Sequence, residues 1–256
     1  GLWANLIGFL GTVISGDLLA KVMTEAQPMK MAAAEAMYNT ASGADASFSI
    51  FTLGTPDGVS ELFSIRIPYL TAFLASGNLN GTVEGINDLQ AKYAALYCGP
   101  DAANALLTCP TDNAFVPIIW VTYWAFRWMI GLGALAALVS IVGLWVTRRG
   151  REPRAWMWRA AVWSAPLPMI ASLVGWIFTE MGRQPWLVFG LMTTKSGVSP
   201  IPGIWVLISL LVFTAVYGAL AVVEFKLITR AAQAGPPDLS ADADGTVDAH
   251  ALTTVY

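Results

Sequence analysis

Histidine is almost missing from this chain: its 256 residues include one, His250, close to the C-terminal end. Imidazole is the usual ligand for haem and for most metals inside membrane helices, so histidine alone cannot build such a centre from this sequence. Charge is scarce as well, at 12% of residues, where a soluble domain carries about 25%. The net charge is −3, with no long basic run, which sets nucleic acid aside as a partner. Cysteine is limited to Cys98 and Cys109, both in the stretch LYCGPDAANALLTCP. An oxidising compartment would allow these two to close a small disulfide loop, and two free thiols are the alternative.

Apolar residues are abundant instead, at 56% of the chain with a mean hydropathy of +0.59. Three stretches, Ile118–Val146, Met157–Thr179 and Ile204–Val223, each approach or exceed the roughly 20 residues a helix needs to cross the hydrocarbon core. A fourth, Leu2–Ser15, is 14 residues long and begins with neither an initiator Met nor a positive flank. It reads as the end of a membrane helix rather than as a signal peptide, which makes the chain the C-terminal part of something larger. The fold expected is all-α, a polytopic membrane helical bundle of about four transmembrane helices with an external loop domain.

The basic loop TRRGREPR at 147–154 holds four Arg, and short basic loops stay in the cytoplasm. The polar segment before the first full span and the connection after the second are then external, and the tail beyond Lys226 and Arg230 is cytoplasmic. From Gln233 that tail is rich in Ala, Asp, Gly and Pro, a composition expected to be disordered.

Ionisable residues within a span cost at least ~2.5 kcal/mol each, so they mark function by default. Arg127 lies about ten residues in from the external end of its span, too deep to snorkel, and is expected to meet a buried anion, either a carboxylate or a cofactor propionate. Met129 lies two residues on, where plain packing competes with a ligand role. Trp176, Glu180 and Arg183 follow i, i+4, i+7 spacing and share one helix face. Glu180 and Arg183 are then either an interfacial ion pair closing the helix before Pro185, or a metal ligand or proton acceptor with its charge partner. In QPMKMAAAEAMYNT, Lys30 and Glu35 lie on good helix formers, and the bland account is an exposed helix with solvated charges. The stretch FSIRIPYLTAFLA at 63–75, interrupted by Pro68, suggests a short element on the membrane surface.

Several of these stretches together resemble the large subunit, subunit I, of cytochrome bd-type quinol oxidases. GRQPW at 182–186 preceded by GWIFTE at 175–180, FRWM at 126–129, and Lys30-Met-Ala-Ala-Ala-Glu35 followed by FTLGTPDG and IRIPY occur in that family's order. The resemblance covers the chain from Gly16 to about Phe225 and implies a haem-containing terminal oxidase that oxidises quinol at the outer face, reduces O2 to water and contributes to the proton gradient. It implies Met129 as an axial ligand of the low-spin haem b and Glu180 at the high-spin haem b iron. Arg127, Trp176 and Arg183 would support the haems, and Lys30 and Glu35 would serve quinol oxidation. A third haem, d or a further b, is implied as well, while the family's imidazole ligands come from helices this chain does not include.

The expected organisation is a helix end at 1–16, an external quinol-binding loop at 17–115 of the short type, spans at 116–147, 157–181 and 203–228, a cytoplasmic loop at 148–156, an external loop at 182–202 and a disordered tail at 229–256. The implied partners are a second large oxidase subunit, small single-helix subunits, ubiquinol or menaquinol, O2 and the lipid of a bacterial cytoplasmic membrane. A non-haem transporter or a structural membrane subunit with a buried Arg/Glu pair is the competing reading.

Overall fold

A computed structural model of the chain describes residues 1–55, 60–98, 115–148 and 154–235. The chain divides into two compact units, Gly1–Val198 and Ser199–Tyr256. The described part is mostly helical, with small two-stranded sheets only. By length and composition, four helical stretches suffice to cross a membrane: Leu2–Ala26, Ile119–Thr147, Ala155–Gly182 and Gly203–Ala234.

The first helix, α1 (Leu2–Ala26), continues ten residues beyond the boundary expected at 16. Its apolar run ends at Ser15, but Asp17 and Lys21 pair at i, i+4 (2.5 Å), and the residues that follow are mostly good helix formers. Gln27 ends it, because a residue before proline is pushed out of helical geometry. Pro28 then opens the seven-residue α2 (Pro28–Ala34), with proline in the first helical turn where its missing N–H costs nothing.

Between α2 and the next long helix the chain forms β1 (Ala41–Ser42), β2 (Phe48–Gly54), β3 (Glu61–Ile67), α3 (Leu70–Ser76), β4 (Thr82–Val83) and α4 (Ile86–Cys98). β2 and β3 pair antiparallel, with a register shift between Ser49 and Phe51, and β1 pairs with β4. Residues 63–75 therefore form a strand and then a short helix, not the single surface element expected. The alternation of Phe63, Ile65 and Ile67 with polar partners suits a strand, and Pro68 separates it from α3. The bland account of Lys30 and Glu35, an exposed helix, does not hold: Met29, Met31 and Ala32 through Ala34 are all core residues.

α5 (Ile119–Thr147) is the axis of the first unit. It presents small residues to α1: Asn5 Nδ2 donates to Ser140 Oγ (2.7 Å) and to the Ala136 carbonyl (3.1 Å), while Gly143 lies against Leu2 and Gly133 against Phe9. Small side chains bring membrane helices close, and a partly buried amide adds a polar clasp.

The span expected over 157–181 is broken into α6 (Ala155–Ser164) and α7 (Leu167–Gly182). Pro166 and Pro168 cause the break, since each lacks a helical N–H and crowds the preceding turn. Ala171, Gly175, Phe178 and Gly182 form the buried stripe of α7, and Phe178 meets Phe126 of α5 at 4.8 Å between ring centroids.

Beyond α7, β5 (Trp186–Val188) pairs with β6 (Met192–Thr193) after a cis Gln184–Pro185 bond. Trp186 is buried, stacked on Phe115 at 5.3 Å and edge-on to Tyr97 at 5.0 Å. Burial of an indole is worth on the order of 4 kcal/mol, which ties this turn to α4. Cys98, the last residue of α4, is disulfide-bonded, and Cys109 lies outside the described residues, as does the tail from 236.

The second unit contains α8 (Gly203–Ala234), a 32-residue apolar helix that begins after Pro202 and ends at Gly235, whose φ of 72° favours glycine. It continues past the end expected at 228 because its last turns, ITRAAQA, are good helix formers.

Gly85 is the tightest backbone approach in the folded segment before α4. A Cβ there would stand 2.2 Å from the Asn39 carbonyl carbon and 2.5 Å from Thr40 N, and backbone cannot yield as a side chain can. Gly85→Ala is expected to destabilise the protein by about 2 kcal/mol, read as a lower thermal midpoint of the detergent-solubilised protein; an unchanged midpoint would contradict this packing.

Candidate functional site

The site grows from the end of α2. Glu35 caps that helix, and Ala36 follows with a φ of 47°, a left-handed turn that sends the chain away and leaves the Glu35 side chain pointing inward, 1% exposed. Strand β2 returns beneath it, so that Ser49 N–H donates to Glu35 Oε2 (3.2 Å). Arg127, two turns into α5, donates through Nη2 to the same oxygen (2.7 Å) and through Nε to the Ser49 carbonyl. The anion expected opposite Arg127 is therefore the Glu35 carboxylate.

The guanidinium is enclosed by rings: Phe48 at 4.5 Å, Tyr123 at 4.6 Å and Phe126 at 5.2 Å from its central carbon. Such faces favour a cation and exclude water from it. Arg66, from β3, holds the surrounding backbone by donating to the carbonyls of Glu35, Ser47 and Ala36, and it pairs with Glu61 at 2.6 Å. Ser49 Oγ, fully buried, shares hydrogen bonds with Tyr123 Oη (2.7 Å) and Thr52 Oγ1 (2.5 Å).

The pairing is one-sided. Glu35 Oε1 and Arg127 Nη1 are both buried without a hydrogen-bond partner. Burial pushes the Glu35 carboxyl above its ordinary value of 4.5, although Arg127 and the Ser49 N–H pull it back. Removing either partner of a pair this deeply buried typically costs about 3–5 kcal/mol, because the other charge is stranded.

A second cluster lies at the end of α7. Lys30 leaves the opposite side of α2, donates to the Thr179 carbonyl (3.3 Å) and lies over the Phe178 ring at 5.0 Å. Burial lowers its pKa first; Glu180 raises it and Arg183 lowers it again, so all three charges share this corner. Glu180 and Arg183 form a half-exposed i, i+3 pair at 2.5 Å. Gly182 lets the corner close, because a Cβ there would come within 3.1 Å of Lys30 Cγ and 3.2 Å of Thr122 Cγ2.

Met129 faces α7 at Gly175, where an added Cβ would fall 2.7 Å from its sulfur. Trp176 is on the outer side of α7, 65% exposed, off the buried stripe. Lys30 and Glu35, read as one pair from sequence, thus serve two different clusters, and Glu35 joins Arg127 instead. Ser49, Tyr123 and Arg66 were not foreseen. Tyr123 had a signal, lying i−4 from Arg127 on the same face, and Arg66 had one as a lone charge between two isoleucines.

Toward a haem, Met129 would offer a soft neutral thioether, packed against Gly175, and Glu180 a half-exposed carboxylate already paired with Arg183. Among the described residues, no group of three or more His, Cys, Asp or Glu gathers to hold a metal.

The chain matches the family model described as cytochrome bd terminal oxidase subunit I over residues 1–236. It is 35% identical over 226 residues to the cytochrome bd ubiquinol oxidase subunit 1 of Bacillus subtilis (strain 168), covering 86% of this chain and 45% of that protein. It is 27% identical over 280 residues to the cytochrome bd-II ubiquinol oxidase subunit 1 of Escherichia coli (strain K12), covering 92% and 54%. It is 31% identical to a putative cytochrome bd menaquinol oxidase subunit I of Bacillus subtilis (strain 168), covering 85% and 44%. The chain spans about half the length of these curated relatives.

A raised carboxyl pKa has a defined sign in stability. The folded chain holds the Glu35 proton more tightly than the unfolded chain, so this group's contribution is complete below 4.5 and is lost as pH rises through the higher folded value. Glu35→Gln cannot titrate. Its thermal midpoint, relative to the parent, is expected to rise as the pH is raised from 4.5; a difference that stays constant through the titration would contradict the raised pKa.

Proposed function

Because the chain belongs to the cytochrome bd terminal oxidase subunit I family, we propose that it carries the quinol-oxidising site and two haem-iron ligands of a membrane quinol:oxygen oxidoreductase. The observation that carries this reading is the buried Glu35 carboxylate, held by Arg127 through one oxygen while the other is unpartnered. A quinol that loses two electrons must also lose two protons, and a carboxylate with a free oxygen, its pKa raised by burial, is suited to accept one. Arg127 fixes Oε2 and Ser49 orients it, so the incoming proton goes to Oε1. Lys30, half-buried over Phe178, supplies positive charge at the neighbouring corner.

In this reading Met129 holds the low-spin haem b and Glu180 the high-spin haem b. Arg127 stabilises haem charge, Trp176 packs beside the haems and Arg183 supplies positive charge to the propionates, and a third haem, d or b, is bound in the complete enzyme. The chemistry those groups supply when bound is one-electron transfer and the reduction of O2 to water. The segment 17–115 and the loop 182–202 face the outer side of a bacterial cytoplasmic membrane and the 148–156 loop faces the cytoplasm, which fits the four Arg at 147–154. Proton release on the outer side then contributes to the proton gradient. Ubiquinol or menaquinol is the donor, and a second large subunit and small single-helix subunits complete the assembly.

The test uses the membrane-embedded enzyme that contains this chain. Glu35→Ala is expected to slow quinol-dependent oxygen uptake by about a hundredfold with haem content intact. Met129→Leu is expected to remove or shift the low-spin b band in the reduced-minus-oxidised spectrum. An unaltered spectrum with normal turnover in Met129→Leu, or loss of all haem in Glu35→Ala, would overturn the corresponding role.

A further inference from the structure

The exposed surface of α6 combines apolar rings with unpaired positive charge. Residues 148–159 hold Arg148, Arg149, Arg151, Arg154 and Arg159 against one acid, Glu152. Arg154 precedes the first turn of α6 and Arg159 lies in its second turn, both exposed. Among the described residues, neither enters an ion pair. Trp156, Trp158 and Trp163 of the same helix are exposed as well, Trp163 by 80%.

Helix geometry sorts these side chains into a pattern. α6 packs against α5, and Met157, Ala160, Ala161 and Ser164, at i, i+3, i+4 and i+7, form its half-covered side. Ala155 and Arg159 stand in one column on the opposite side, with Trp158 on one flank and Trp156 and Trp163 on the other. Ala155 ends at its Cβ, so the column is a shallow slot between indoles. The Arg154 cation stands at its mouth and the Arg159 guanidinium one turn further in.

We propose that this face of α6 seats the headgroup of an anionic glycerophospholipid, its phosphodiester between Arg154 and Arg159 and its glycerol esters against the indoles. Three features select that occupant. A guanidinium fork matches two phosphate oxygens, and two such forks are present without a protein partner. Indoles favour the level of the membrane where headgroups meet acyl chains, and α6 opens a helical stretch long and apolar enough to span. An arginine one turn inside that level reaches back to it by extending its stem. The surplus of arginine over acid then decides between lipids. A zwitterionic headgroup brings an ammonium into a region that is already cationic, whereas an anionic headgroup brings only the charge that is missing. A small soluble anion would satisfy the arginines but leave the three indoles without a role. This assignment uses neither the quinol nor the haem reading, and it holds for whichever side of the membrane the loop faces.

The test places the complete enzyme that contains this chain in phosphatidylcholine vesicles doped with a photoactivatable phosphatidylglycerol, its diazirine beside the headgroup, and maps the labelled peptides. A phosphatidylcholine with the same diazirine is the reference probe. In the parent, phosphatidylglycerol is expected to label residues 154–164 about 25-fold more than the reference, at roughly fivefold per arginine. In the doubly substituted Arg154→Gln, Arg159→Gln enzyme that excess is expected to fall to within about twofold, with the haem spectrum unaltered because both side chains are exposed. Equal labelling by the two probes in the parent would overturn the site, a result that needs no variant to fold. An excess that survives the double substitution would overturn the role of these two arginines.

Discussion

The contact between Glu35 and Arg127 governs how the first unit is assembled. A carboxylate and a guanidinium withdrawn from water each cost several kcal/mol, so neither is tolerated without the other. Their union draws the end of α2 onto α5, and the backbone of β2 must come with it, because Ser49 donates to one partner and accepts from the other. Arg66 then secures the turn that makes this possible, by donating to the carbonyls of Glu35, Ala36 and Ser47. The hairpin, the short helix and the long helix are thus three sides of one electrostatic problem. The geometry satisfies Oε2 twice and Oε1 not at all. Under the proposed function, Oε1 is the oxygen left to take up a proton.

Close approach elsewhere depends on residues with little or no side chain. Gly175 admits the Met129 sulfur, and Gly182 admits the Lys30 stem beside Thr122. The GRQPW stretch is therefore two anchors with a turn between them: a glycine fitted against α2 and α5, and a tryptophan buried among Phe115, Tyr97 and Phe189. Arg183, between the anchors, is held beside Glu180 because the backbone on both sides is fixed.

The spanning helices were legible because hydropathy over a window of ~20 residues is a strong signal that tertiary context does not overturn. Their ends were less so. α1 outruns its apolar stretch because helix propensity and an i, i+4 pair continue after hydropathy stops, and the proline break at 165–166 was obscured by unbroken apolarity on both sides. At the site, the depth of Arg127 in its span announced a buried anion but not which one. Glu35 lies 92 positions away, and spacing along the chain carries no information at that separation. The burial of α2 was hidden for a related reason, since Lys30 and Glu35 look solvated until α5 and α7 are known to flank them. Ser49 contributes mainly through its backbone, which any residue type could offer.

α2 is seven residues long, and it carries Lys30 to the α7 cluster and Glu35, at its cap, to the α5 cluster. Ala32, Ala33 and Ala34 between them are fully buried and offer no slack. Close-packed interiors transmit displacement rather than absorb it. The same short rod that brings Glu35 to Arg127 positions the Lys30 ammonium beside Glu180 and Arg183. The two clusters, separate in their hydrogen bonds, share one rigid support. A short alanine-rich helix, poor in chemistry of its own, thus sets the positions of one buried ion pair and one half-buried ammonium.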